Sequence, residues 1–169
     1  MDIRPESACD EDAIYQLTRI AFEPMFFSDG SEAPLVGRLR NDEDLTISLV
    51  AEKGGEIVGH IAFSPATING RHDGWFGLGP VSVHPDVQKQ GIARALVETG
   101  LKMLEDRGAT GCVLTGNPEI YSRLGFQSDG NVSYGTLDRQ FIQWLVFSGP
   151  TPHGELKFAP AFGDEYPAD

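Results

Sequence analysis

The stretch from Trp75 to Arg107 constrains this chain more than any other. Trp75 to Val83 is apolar and carries β-formers, which predicts a central strand. Pro80 within it removes a ladder donor, so a bulge or splay is expected there, beside Gly77 and Gly79. A turn around His84-Pro85-Asp86 follows. Gln90 to Arg107 then predicts a helix, with Ile92, Leu96, Val97, Gly100, Leu101 and Leu104 on one face and Gly108 as its C-cap. A strand that feeds a helix in this way leaves the first N–H groups of the helix without partners. They point out together at the positive end of the helix dipole and make a phosphate site. Gly91 lets an anion approach the backbone closely, and Ala93 keeps the second approach point small. Lys89 and Arg94 add charge at the rim. Neither common nucleotide loop is present: the segment has no GxGxxG and no GxxxxGK followed by Ser or Thr.

The elements around this segment predict a mixed α/β fold. Ile3-Arg4-Pro5 reads as a first strand. Asp10 is placed to N-cap a helix with Ile14, Leu17, Thr18, Ala21 and Phe22 on one side, ended near Pro24. A second helix carries Leu35, Val36 and Leu39. Thr46 to Glu52 and Glu56 to Ala62 flank Lys53-Gly54-Gly55, a hairpin signal, and Ala66 to Ile68 is expected to extend the sheet before the turn at Asn69-Gly70. Cys112 to Leu114 reads as a short buried strand and Pro118 to Leu124 as a short helix ended by Gly125. Phe141 to Phe147 and Glu155 to Phe158 are expected to pair around Gly149-Pro150, and Gly163 to Asp169 reads as a loose tail. The expectation is one domain over 1–169, with a core to about residue 147 and a C-terminal strand and tail over 148–169. Its sheet is mixed and mostly antiparallel, with helices on both faces.

Composition narrows the function. The chain has 169 residues, 25 acidic against 13 basic, for a net charge of −12. That argues against nucleic acid as a partner and is compatible with a cationic amine. Two cysteines, Cys9 and Cys112, without metal-ligand spacing, indicate neither a metal nor a disulfide framework and suit a reducing cytoplasm. No signal peptide is expected at the start, and no apolar run is long enough for a membrane helix.

A second motif follows: Thr115-Gly116-Asn117-Pro118-Glu119-Ile120-Tyr121-Ser122-Arg123-Leu124-Gly125-Phe126. Together with Gln88-x-x-Gly91-x-Ala93 after a strand ending Val81-Ser82-Val83-His84-Pro85, it resembles the GNAT superfamily of N-acetyltransferases. Residues Glu32 to Arg40 and Gly154 to Phe162 are similar to its YhbS-like bacterial branch. The resemblance implies acetyl-CoA, or a close acyl-CoA relative, as cosubstrate. Gln88, Lys89, Gln90, Gly91, Ile92, Ala93 and Arg94 would hold its pyrophosphate, and Val81 and Val83 would pair with the pantetheine arm. Asn117 would cap the short helix and contact the cofactor arm. Tyr121 would serve as general acid toward the leaving thiolate, since a phenol with an unperturbed pKa of ~10 is protonated. The acceptor would be a small-molecule amine or a protein amine, and the state monomer or homodimer.

The resemblance also exposes a departure. Many members carry a Glu on the central strand, whereas Trp75 to Val83 has no carboxylate; the nearest are Asp73 and Asp86. The candidate proton acceptors are His72, beside an exposed turn, His84, in a turn or capping position, and water held by backbone groups, and no one of them is singled out as the base. The N–H of Val81 is the candidate oxyanion donor. A degenerate acyl-CoA-binding module that performs no transfer is the alternative reading. The acceptor groove is expected near Phe22 to Gly30, including Met25, Phe26 and Phe27, and near Gly130 to Gly135.

Overall fold

The structure, a computed structural model, describes residues 1–25 and 28–163. Phe26 and Phe27 and the tail beyond Gly163 lie outside the described residues, so the expectations that fall on them are not carried further. The chain forms two compact bodies. Among the described residues, the first comprises those of Met1–Phe63 and Gly79–Gly100, and the second comprises Ser64–Leu78 and residues 101–163.

In the first body, strand β1 (Asp2–Pro5) pairs antiparallel with β2 (Ile47–Lys53), and β2 pairs with β3 (Glu56–Pro65). The β2–β3 hairpin turns on Gly54 and Gly55, at φ +61° and +82°, values that glycine adopts without steric cost. Helix α1 (Glu11–Phe22) buries Ile14, Leu17, Thr18 and Ala21, and α2 (Glu32–Asn41) buries Ala33, Leu35, Val36 and Leu39. Ile14, Val36 and Val50 pack together, which sets α1 and α2 on the Val50 face of the sheet. On the other face, Gly59 leaves room for Ile92 and Leu96: a Cβ there would lie 2.8 Å from Ile92 Cγ2. Those two residues lie in the first turns of helix α3 (Ile92–Asp106), which follows the central strand.

Asp10 differs from its expected role. It is already helical, and its carboxylate turns back to accept from Ser7 N at 2.7 Å and from Arg4 at 2.7 and 3.2 Å. The carboxylate thus closes a capping box opened by Ser7, one turn before α1. The Arg4 guanidinium and the Ser7 N–H hold the Asp10 carboxyl far below the usual carboxylate range.

Central strand β5 (Trp75–Val83) starts in the second body and ends in the first. Its first half pairs in parallel with β6 (Gly111–Thr115), and this ladder stops at Gly77↔Val113, just before Gly79 and Pro80. Helix α3 (Ile92–Asp106) begins two residues later than the expected Gln90, because Lys89 and Gly91 take φ +62° and +84°. A left-handed backbone cannot continue a right-handed helix. Gly108, at φ +82°, closes the helix as expected.

In the second body, β6 pairs antiparallel with β8 (Ile142–Val146). A separate three-stranded sheet has the order β4 (Thr67–Ile68), β9 (Gly154–Lys157), β7 (Val132–Ser133). Two expectations are corrected here. Of residues 66–68, Thr67 and Ile68 leave the main sheet instead of extending it, and the last two strands, β8 and β9, pair with β6 and with β4 and β7 instead of with each other. The link from Phe147 to His153 contains two prolines and is longer than a two-residue hairpin turn. Gly77 lets Phe158 seat on β5, since a Cβ there would lie 2.6 Å from the ring. Trp75, Val113, Ile142, Trp144 and Leu156 share that body's core.

Candidate active site

The loop from β5 to α3 is built in three steps. His84 Nδ1 accepts from Asp86 N at 3.1 Å, starting a short 3-10 turn over Pro85–Val87. Gln88 then donates from Nε2 to Val83 O at 3.3 Å, tying the loop to the end of its own strand. Lys89 and Gly91 next take their left-handed conformations, which turn the backbone into α3. Ala95 N reaches back to Gly91 O at 3.0 Å, so the N–H groups of Ile92, Ala93 and Arg94 form the helix's unpartnered first turn. A Cβ on Gly91 would meet no protein atom within 4 Å. The glycine is therefore required by its φ and by open space above it, not by packing.

The side chains divide in their uses. Gln88, Lys89, Gln90, Ala93 and Arg94 are exposed, whereas Ile92 is buried and offers only its backbone N–H to an anion. Arg94 donates to Glu98 Oε1 at 2.8 Å, so its charge is partly answered along the helix instead of standing free at the rim. Lys53 at the hairpin end donates to Gln90 Oε1 at 3.4 Å and brings a second ammonium to the loop. No local pattern marks Lys53; only the β2–β3 register carries it there. Val81 and Val83 are half-buried in the second half of β5.

Tyr121 lies in the second body, at the end of α4 (Pro118–Tyr121), which passes into a 3-10 turn over Ser122–Leu124 and ends at left-handed Gly125. Asn117 caps α4, its Oδ1 accepting from Glu119 N at 2.9 Å. The Tyr121 ring packs over Gly116, where a Cβ would lie 2.6 Å from it, and meets Phe126 edge-on at 6.1 Å. Burial raises the phenol's pKa, which keeps it protonated.

The proton acceptors flagged near β5 have other partners. His72 Nδ1 lies 3.1 Å from Ala66 O with its ring edge-on to Phe76, and Asp73 pairs with Arg71 at 3.1 Å. His84 is the capping group described above. Phe22 and Met25 are half-buried in the first body. Tyr134, in the second, is buried and stacks edge-on against Phe158. Among the described residues, no group of His, Cys, Asp and Glu is arranged to hold a metal ion. No helix among them is long and apolar enough to cross a membrane.

Residues 44–128, which hold the hairpin, β5, the loop and Tyr121, match the family model described as an acetyltransferase (GNAT) domain. The chain belongs to the GNAT family of N-acetyltransferases. It is 41% identical over 128 residues to YhbS of Escherichia coli strain K12, an uncharacterised N-acetyltransferase, covering 75% of this chain and 74% of that one. The crystal structure of a GNAT acetyltransferase from Brucella melitensis in complex with acetyl-CoA superposes with a TM-score of 0.86 at 42% identity, over 95% of this chain and 97% of that chain. YhbS from Escherichia coli in complex with CoA superposes with a TM-score of 0.88, over 99% of this chain and 94% of that chain. The mixed α/β arrangement with its mostly antiparallel sheet is the GNAT fold.

Proposed function

We propose that this GNAT protein transfers the acetyl group of acetyl-CoA to a primary amine, on a small molecule or a protein, by direct attack. The observation that carries the cosubstrate is the turn at Gly91. Its φ of +84° and the open space where a Cβ would stand leave the helix's first N–H groups approachable by a pyrophosphate. The residues fit that group: small Ala93 beside Gly91, exposed Lys89, and Lys53 close by. The 42% identical relative with acetyl-CoA supports the acetyl donor.

In this reading Val81 and Val83 align the pantetheine arm along β5. The Val81 N–H stabilises charge developing on the thioester oxygen, and Tyr121 protonates the departing sulfur. Bringing the two substrates together supplies a large part of the rate. The net charge of −12 favours a cationic acceptor over an anionic one.

The test is calorimetric titration of acetyl-CoA into the purified protein. Binding at one site per chain is expected, with loss of detectable binding in Gly91→Glu, whose carboxylate would fill and repel the anion position. A folded Gly91→Glu protein that binds as tightly as the parent would overturn the assignment of the loop.

A further inference from the structure

The lysines of this chain divide into two kinds. Lys102 pairs with Asp106 at 2.7 Å and Lys157 with Glu155 at 4.0 Å. Lys53 and Lys89 enter no ion pair among the described residues, although the chain has 25 acidic side chains against 13 basic ones. Both unpaired ammoniums belong to the first body, and both stand at the loop that leads into α3. Lys89 is part of that loop and is held at φ +62°, a conformation that costs a residue with a side chain. Lys53 comes from outside it, at the end of β2.

Lys53 passes over a carboxylate to reach the loop. Its cross-strand partner in the β2–β3 hairpin is Glu56, and opposite charges facing each other across an antiparallel pair attract. The ammonium turns instead to Gln90 Oε1, a neutral acceptor, at 3.4 Å. A bond of that length is weak, and it leaves the charge of the ammonium unanswered. The carboxylate of neighbouring Glu52 is taken by Arg4 at 3.4 Å. Gln90 directly precedes Gly91, so the free charge stands beside the turn that opens the first N–H groups of α3. Lys53 is exposed, and its charge is kept there without a desolvation cost.

We propose that Lys53 binds a phosphate group of the acyl-CoA cosubstrate, and that the β2–β3 hairpin thereby helps select a phosphorylated coenzyme. The proposal rests on the acyl-CoA reading of the loop. Coenzyme A carries a pyrophosphate and a 3′-phosphate on its ribose, and an ammonium recognises either as a point charge on phosphate oxygens. The field of a chain with net charge −12 opposes the approach of such a polyanion. Unpaired ammoniums at the loop offset that repulsion where the phosphates dock. A lysine already paired with a carboxylate would not do so.

Calorimetric titration of acetyl-CoA and of acetyl-3′-dephospho-CoA into the purified protein tests this. Lys53→Met removes the charge and keeps an unbranched side chain. Its Kd for acetyl-CoA is expected to rise about fivefold at low ionic strength, the scale of one exposed ion pair. The rise should shrink at 1 M salt, where the Debye length is about 3 Å. Lys53→Arg is expected to bind as the parent does. Lys102→Met changes the net charge equally, but ten residues along α3 from Ile92, a distance of about 15 Å, and should also bind as the parent does. A rise with acetyl-CoA alone would assign Lys53 to the 3′-phosphate, and an equal rise with both donors would assign it to the pyrophosphate. A Lys53→Met protein with the parent's Kd, a rise that salt does not diminish, or the same rise in Lys102→Met would overturn the proposal. A parent protein that binds neither donor would overturn the reading of the loop and the proposal together.

Discussion

Tyr121 is held by its ring, and the proposed chemistry uses only its oxygen, so the two are separable. The ring packs on Gly116 and Phe126, contacts that phenylalanine would keep. Tyr121→Phe should therefore leave the melting temperature and acetyl-CoA affinity unchanged while kcat falls about 10²-fold, the scale of a lost general acid. A kcat equal to the parent's would remove Tyr121 from the chemistry. The residues legible in the sequence are those whose place in the fold is fixed by near neighbours. Gly91 is read from the strand and helix on either side of it, Asn117 from the helix it caps, and Tyr121 from its motif. The contacts of Lys53 with Gln90 and of Ser48 with His60 are not legible there, because they depend on strand register. Lys53 lies 37 residues from Gln90 and Ser48 lies 12 from His60, and no spacing rule spans either interval.

The elements are unevenly legible in the sequence, for physical reasons. Strand β5 and helix α3 declare themselves through long apolar patterns, and the β2–β3 hairpin through its paired glycines. Strands β4, β7 and β9 are only two to four residues long, too short to show a period, and they find each other through tertiary contacts such as Phe158 on Gly77. Glycines inside elements give a paired test of this packing. At Gly111 in β6 a Cβ would lie 2.5 Å from Leu145 O and 2.6 Å from the Trp75 ring, and a backbone carbonyl between paired strands cannot yield easily. Gly111→Ala should cost about 1–3 kcal/mol, as overpacked cores do. At Gly37 in α2 nothing lies within 4 Å, so Gly37→Ala should stabilise by about 0.5–1 kcal/mol through helix propensity. Urea midpoints for the two variants should move in opposite directions; a shift of the same sign would contradict the packing described around β6.

For the molecule as a whole, acid exposes the cost of burying His60, which sits on β3 without exposure, its Nε2 2.7 Å from Ser48 Oγ on β2. His60 titrates near its ordinary value of 6.5 when unfolded but only at about 4 when folded. Between these values the unfolded chain binds a proton that the folded chain refuses, so stability falls as pH drops through this window and is fully present above it. The contribution is on the order of 3 kcal/mol. The Asp10 carboxyl acts in the same direction but lower. Its pKa is depressed by Arg4 and Ser7, so its contribution is present above the ordinary aspartate value and is lost only as pH falls below it. The acid limb should therefore have two parts, separable by one substitution. Urea unfolding of the parent from about pH 7 to about pH 4.5 should lose a few kcal/mol, and His60→Gln should flatten that slope while leaving the loss at lower pH in place. Parallel slopes for parent and variant over that range would mean that His60 takes up its proton in the folded state without penalty. The ring would then be open to water, against its burial on β3.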